Sequence, residues 1–335
     1  MSSTPDNDND SDLVGVLDTA MGTTNLGDAI IMDAAGGVVS QLFPQRQPIS
    51  LPTHLRPGLH GLRLQRGARL LVACGTNLLH AHMGLVQQWR VGPLAAARMR
   101  PVVLLGVGWR SHASRRTDPY TRWLLHRLLS SQYLHSVRDS YSEARLRDAG
   151  IDNVINTGCP TLWGLTAAHC QRIPETKGRD ALFVLTDYSR NPERDAALLD
   201  TTLRSYRRVY FWAQGRGDVA YLDSLPGGDE THRLPRNLAA YDALLADPEQ
   251  SIDYIGTRLH GGIRALQHGR RSLIVGVDHR ALSMGRDCEL PVVDRYADQA
   301  VLDRWMTEAR PTAVQPPWQA IARWRAQFEV ETATT

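Results

Sequence analysis

The chain has 335 residues, 42% of them hydrophobic, with a formal net charge of +3, so it has enough apolar surface for two domains of ordinary size and too little net charge to argue for nucleic acid. Lys177 is the only lysine, which leaves no Walker A lysine and makes imine chemistry a poor fit, since "PETKGRD" is a polar setting for an amine. Four scattered cysteines with no C-x-x-C pair argue against a structural zinc site or a disulfide scaffold, and no apolar run approaches the ~20 residues that span a bilayer.

Residues 1–12, "MSSTPDNDNDSD", read as a disordered acidic tail with no signal-peptide core, and a cytoplasmic protein is expected. Short apolar runs then follow at "LVGVLDT" (13–19), "RLLVACG" (69–75) and "PVVLLGVGW" (101–109), as buried parallel strands do. Helical patterns lie between them at 29–41, 84–99 and 119–131, and "SYSEARLRDAG" (140–150) reads as a helix closed by Gly150. "NVINTGCPTLW" (153–163) supplies a further strand and loop. Composition shifts near "QRIPETKGRD" (171–180), the expected linker. Beyond it, "ALFVLTD" (181–187), "RRVYFWAQ" (207–214), "SIDYIGT" (251–257) and "SLIVGVD" (272–278) repeat the strand theme with helices between, and "PPWQAIARWRAQF" (316–328) forms an amphipathic helix.

Alternating strands and helices predict parallel sheets with right-handed crossovers. The expected fold is α/β, with two doubly wound Rossmann-like domains facing a cleft. Its expected boundaries are 13–172, 173–312 and a C-terminal helix, 313–335, packing back on the first domain.

Ligands of such sheets bind beyond the carboxyl ends of the strands, which singles out three loops. "AMGTTNLGDAII" (20–31) has Asp28 at an expected helix N-cap and glycines that admit an anion or sugar. "VACGTNLLHAH" (72–82) offers Gly75, Thr76 and Asn77 to a ligand, and its His80-x-His82 lacks a carboxylate to complete a metal site. "TRLHGG" (257–262) follows one strand and opens a helix. If the segment is extended, Arg258 and His260 point the same way, and Gly261 and Gly262 expose the helix's first N–H groups. That makes an anion site; the plainer reading pairs Arg258 with a carboxylate such as Asp253 and packs His260 in the wall.

Taken together, "GTTNLGDAII", "SVRDSYSEARLRDAG", "NTGCPTLW" and "TRLHGGIRALQHGRRSLIVGVDH" resemble, in order over residues 13–285, segments of the polysaccharide pyruvyltransferase family. The resemblance implies a fold like that of the GT-B glycosyltransferases. It also implies transfer of the pyruvyl unit of phosphoenolpyruvate to sugar hydroxyls, giving a pyruvate ketal and phosphate without cofactor or metal. By the same resemblance Arg258, Leu259, His260, Gly261 and Gly262 hold the donor, with Arg138 as a second cation and His260 as the acid. Asn25, Gly27, Asp28, Thr76 and Asn77 fall on the acceptor side, Asp28 serving as base. The acceptor sugar is expected to be free or lipid-linked, which puts the inner membrane face among the candidate locations. Where the family often has lysine near "VDHRA", this chain has His279 and Arg280.

Two alternatives stand beside this reading. One is a GT-B glycosyltransferase using a nucleotide-sugar. The other is a non-enzymatic polyanion binder acting through "RRTDPYTRWLLHRLL" (115–129), in which Arg115, Arg116, Arg122 and Arg127 interleave with Tyr120 and Trp123.

Overall fold

A computed structural model describes residues 12–111 and 116–332, with side chains through Glu329. All but Asp12 of the expected acidic tail, and Arg115 of the basic segment, lie outside the described residues. The described residues fall into two compact units: unit 1 comprises those within 1–23, 31–160 and 318–335, and unit 2 comprises 24–30 and 161–317.

Unit 1 contains strands β1 (Leu13–Asp18), β2 (Gln47–Pro52), β3 (Leu70–Cys74), β4 (Val102–Leu105), β5 (His135–Val137) and β6 (Val154–Asn156). The first four form a parallel sheet in the order β2-β1-β3-β4, and β5 and β6 form a parallel pair joined to it by isolated bridges such as Val107–Val137. Its helices are α1 (Leu26–Leu42), whose first turn falls in unit 2, α2 (Leu59–Gly67), α3 (Pro93–Arg98), α4 (Pro119–Leu128) and α5 (Ser140–Asp148). The helix expected over 84–99 shrinks to α3 because Gly92 and Pro93 impose a start there. Strand β2 and helix α2 were not expected. "QPISLP" carries two prolines, which only an edge strand tolerates, and β2 is the sheet's edge.

Unit 2 contains α6 (Ala167–Cys170), β7 (Asp180–Val184), α7 (Pro192–Ser205), β8 (Val209–Phe211), α8 (Asp218–Asp223), β9 (His232–Arg233), α9 (Leu238–Ala246), β10 (Ile252–Gly256), α10 (Leu259–Gln267), β11 (Ser272–Gly276), α11 (His279–Cys288), β12 (Val292–Asp294) and α12 (Gln299–Thr307). Its parallel sheet runs β9-β8-β7-β10-β11-β12, the 3-2-1-4-5-6 order of a doubly wound nucleotide-binding fold. Strand order reverses between β7 and β10, and there the loops after the strands diverge and leave room for a ligand.

The division falls after Pro160, earlier than the 172/173 boundary, because the intervening segment is tied to unit 2. Gln267 Nε2 donates to Thr161 O at 2.6 Å, and a His169 ring nitrogen bonds Leu266 O at 2.7 Å. The last helix, α13 (Trp318–Thr332), belongs to unit 1, where Phe328 stacks on Tyr133 and meets Phe43 edge-on.

Apolar strands build both cores. Leu71, Ala73, Val102 and Leu104 are buried in unit 1; Phe183, Ile255, Leu273 and Val275 are buried in unit 2. Side chains of Asp118, Asp139, Asn191, Asn237, Asp278 and Asp298 cap helices by accepting backbone N–H groups, which fixes where each helix leaves its loop.

Candidate functional site

The segment after β10 differs locally from its sequence reading. Helix α10 begins at Leu259, so Arg258 is its extended cap residue, with φ −99° and ψ 103°, and His260 lies buried in the first turn. The extended stretch on which a shared side-chain direction was expected is therefore absent.

Gly261 and Gly262 are helical and serve packing. A Cβ on Gly262 would meet Ile274 Cδ1 at 2.8 Å and Tyr254 Cε1 at 2.9 Å, so its bare Cα lets α10 lie close against β10 and β11. Tyr254 Oη donates to Arg258 O (2.6 Å) and Tyr241 Oη to Gly261 O (2.7 Å), which seats the helix start on the sheet.

The Arg258 side chain is almost wholly buried and paired, though not with Asp253, which faces Arg271 and Tyr206. Its Nε donates to Asp218 Oδ2 (3.1 Å) and to Leu185 O (3.2 Å), and its Nη2 bonds Asp218 Oδ1 and Asp187 Oδ1 (3.1 Å). Asp218 grips the guanidinium side-on with both oxygens, the strong bidentate geometry. Asp218 is itself fixed by Gly215 N–H (2.6 Å) and Asp187 N–H (3.1 Å). A Cβ on Gly215 would run into Arg258 Nη2, so "GRGD" (215–218) is shaped to admit the guanidinium. The Nη1 of Arg258 makes no hydrogen bond among the described residues.

Next to this cradle lies the Asn25–Asp28 loop, which the contact pattern places in unit 2. The cap of α1 is Asn25, whose Oδ1 accepts from Gly27 N–H at 3.1 Å; Asp28, expected there, sits in the first turn instead. Gln214, at the end of the β8 segment, ties the loop down: its Nε2 donates to Asn25 Oδ1 (2.9 Å) and its carbonyl accepts from Leu26 N–H (3.1 Å). Because Asn25 Oδ1 already accepts from Gly27, the Gln214 group facing it must be the amide NH2. Gly27 has no side chain where a Cβ would lie 2.5 Å from Gln214 Nε2. Arg236 Nη2 adds a bond to Thr24 O.

A second arginine completes the group. Arg280, in the first turn of α11, bonds Asp278 and Tyr188, and both Arg280 and Arg258 lie over the Tyr188 ring, 5.5 and 5.1 Å from its centroid. Burial works against the Arg280 charge, but Tyr188, Asp278 and Asp28 outweigh it and raise its pKa. Burial likewise works against the Asp278 carboxylate, yet Arg280 and the Tyr188 hydroxyl hold it below the usual range. Each guanidinium in this cluster is thus matched by carboxylates.

The other expected site residues gather in unit 1. Arg138, 1% exposed, donates from Nε to Asp139 Oδ2 (3.1 Å) and from Nη2 to Asn77 Oδ1. Burial alone would raise the Asp139 pKa; Arg138 and the Ser142 bonds bring it below the ordinary value. Thr76 has φ +47°, a strained left-handed conformation for a β-branched residue, directly after Gly75 at +57°. His82 has the carboxylate that sequence alone did not reveal, Asp118 at 2.8 Å, but no group of three His, Cys, Asp or Glu suited to a metal occurs among the described residues.

Sequence reasoning missed Gln214, Asp187 and Asp218 as neighbours of "TRLHGG", and it named Arg280 only as standing where the family often has lysine. The readable signal for two of them was "AQGRGD", two glycines and an aspartate directly after a strand.

The polysaccharide pyruvyl transferase family profile matches residues 25–279. No curated protein matches the sequence. Among solved structures, the chain is similar to UDP-GlcNAc 2-epimerase from Methanocaldococcus jannaschii, with TM-score 0.55 and 11% identity over 96% of this chain and 99% of that one. It is also similar to the S. aureus MnaA–UDP co-structure, with TM-score 0.51 and 12% identity over 90% and 92%. At such identities the likeness shows the fold, an α/β GT-B-like architecture with parallel sheets. The family match spans most of the chain and takes in both the Asn25–Asp28 loop and the Arg258–His260 turn, so this chain belongs to the polysaccharide pyruvyl transferase family.

Proposed function

We propose that the protein transfers the pyruvyl unit of phosphoenolpyruvate to two hydroxyls of a sugar, forming a pyruvate ketal and releasing phosphate, in polysaccharide or glycoconjugate synthesis. The observation that carries this reading is the meeting of two family segments far apart in sequence. Asn25–Asp28 and the Arg258–Gly261 turn come together around Gln214 and Gly215, the first through Asn25 and Gln214, the second through Gly261 beside Gln214 and Arg258 beside Gly215, and Arg258 follows the switch-point strand β10.

In this reading Arg258 Nη1 and the N–H groups opening α10 face the donor's phosphate or carboxylate. His260 gives a proton to C3 of the enol, and positive charge develops at C2. A sugar hydroxyl attacks C2 as Asp28 takes its proton. Phosphate then leaves C2 with the C–O bonding pair, and a second hydroxyl adds there as His260, left unprotonated by the first step, takes its proton, which closes the ketal. Neither metal nor cofactor enters the scheme.

The test is a thermal-shift screen followed by phosphate-release assays on candidate acceptors. Phosphoenolpyruvate at about 100 times its Kd is expected to stabilise by ~2.7 kcal/mol, and Arg258→Ala to abolish the shift. His260→Ala is expected to lower turnover by about 10²–10⁴ with donor binding retained. A shift with nucleotide-sugars and none with phosphoenolpyruvate would replace this reading with a glycosyltransferase.

A further inference from the structure

Charge is very unevenly distributed along the chain. Between Asp33 and Asp118 there are eleven arginines and neither aspartate nor glutamate, in a protein whose overall charge is only +3. Three of these arginines, Arg63, Arg66 and Arg98, fall on helices that topology brings together. From β2 the sheet of unit 1 is traversed in one direction, through β1's far neighbour β3 to β4 and β5. Right-handed crossovers then place α2, α3 and α4 on one face, opposite α1. The helices also pack in that order, α2 on α3 and α3 on α4.

Arginines stitch the layer together. Arg100 Nε donates to Arg66 O at the end of α2 (2.9 Å), and Arg127 Nη2 to Ala97 O at the end of α3 (2.6 Å). Each guanidinium thereby meets the negative end of a neighbouring helix. Inward, Ala96, Leu124, Leu125 and Leu128 are buried in the core. Outward, Arg63, Arg66 and Arg98 are exposed, with no acidic residue on any of the three helices.

The same elements expose large apolar side chains: Leu59 on α2 is 90% exposed, Leu94 on α3 66% and Trp123 on α4 48%. Leu85 is 88% exposed in a loop whose Gly84 lies against Tyr120 of α4, beside Trp123. Isolated exposed apolar side chains are ordinary, but three adjacent helices presenting Leu59, Leu94 and Trp123 beside exposed arginines form a pattern. A nucleic acid would use the arginines and leave the leucines in water. An anionic bilayer uses both, with phosphates for the guanidiniums and the acyl boundary for Leu59, Leu85, Leu94 and Trp123.

We propose that the α2–α3–α4 face of unit 1 is a docking surface for an anionic phospholipid membrane. This stands apart from the transferase reading, and it suits an acceptor carried on a lipid.

The test is flotation of the full-length protein with vesicles of phosphatidylglycerol and phosphatidylcholine, and with pure phosphatidylcholine. Binding is expected only to the anionic vesicles and is expected to fall steeply from 0.05 to ~0.5 M salt. One arginine near such a surface is worth about fivefold in binding, so R63Q/R98Q is expected to weaken it about 25-fold. L59S/L94S is expected to weaken it about tenfold by removing apolar burial. Ala97→Glu, an exposed change on α3, tests the same face should either double variant fail to fold. Absence of binding to anionic vesicles would overturn the proposal. So would a charge effect without any effect of L59S/L94S, especially with equal capture of RNA, which would reassign the face to nucleic acid.

Discussion

Removing Asp218 should cost unit 2 much of its stability, and removing Arg258 as well should return part of it. Asp218 is fully buried and holds the 5%-exposed Arg258 through both carboxylate oxygens. In Asp218→Ala the guanidinium keeps Leu185 O and only Asp187, whose side chain is 29% exposed. Leaving one partner of a buried pair uncompensated costs about 3–5 kcal/mol, and the remaining contact with Asp187 argues for the lower end, ~3 kcal/mol. In Arg258→Ala the stranded carboxylate still accepts from Gly215 and Asp187 N–H groups, so a smaller loss, about 2 kcal/mol, is expected. The double variant has no stranded charge at this position and should fall short of additivity by ~2 kcal/mol. The assay is urea unfolding of the wild type and the three variants, followed by hydrogen exchange of the β7 and β10 amides. Additivity to within about 0.5 kcal/mol would show that the two side chains do not act as a pair, and the cradle described for Arg258 would fall with it.

Two further changes test unit-specific packing and titration. Gly262→Ala should destabilise by about 1–3 kcal/mol through overpacking, and the same change made in an Ile274→Ala background should cost less by urea midpoint than in the wild type, because Ile274 is one of the two side chains a Cβ would strike. His135, buried with one ring nitrogen on Ser130 O (2.9 Å) and the other accepting from Leu104 N–H (3.3 Å), has its pKa pushed by burial from 6.5 down to about 4. The folded state therefore prefers the neutral ring. Its contribution is complete above pH 6.5 and is lost as pH falls toward 4, at ~1.4 kcal/mol per unit. The stability gap between wild type and His135→Gln should shrink over that window, and a constant gap would refute the assignment.

Sequence made the strands legible wherever a short apolar run ended at a turn, because a strand buried on both faces leaves no other pattern. The runs "LLVAC", "VVLL", "IDYIG" and "SLIVG" all appear in the parallel sheets. Strand β2 escaped notice because an edge strand needs less apolar content and can hold proline. The unit boundary escaped because hydrogen bonds, rather than composition, attach 161–173 to unit 2. Within the site, "TRLHGG" and "NLGD" were visible as unusual loops, whereas their partners were not. Arg258 meets Asp187 in a loop 71 residues away and Asp218 at a helix start 40 residues away, and Asn25 meets Gln214 from 189. Local pattern carries no information on such pairings; only the strand order brings them together.

The charge arrangement assigns the two surfaces different physics, and salt separates them. In unit 2, Arg258 faces Asp187 and Asp218, and Arg280 faces Asp278 with Asp28 close by, so the cluster carries no excess positive charge to attract an anion from a distance. Anion binding there would have to rest on short contacts: an oriented Nη1 and the N–H groups of a helix start, which act within hydrogen-bond reach and are little affected by a Debye length of about 10 Å at 0.1 M salt. The α2–α4 face of unit 1 has the opposite character, with exposed guanidiniums, no carboxylates on its helices, and a field that salt collapses. Raising salt to ~0.5 M should therefore release the protein from anionic vesicles while the proposed donor affinity changes by less than about threefold. If both fell together, the donor would be held mainly by long-range charge, and the ion pairs around Arg258 would have to open when it binds.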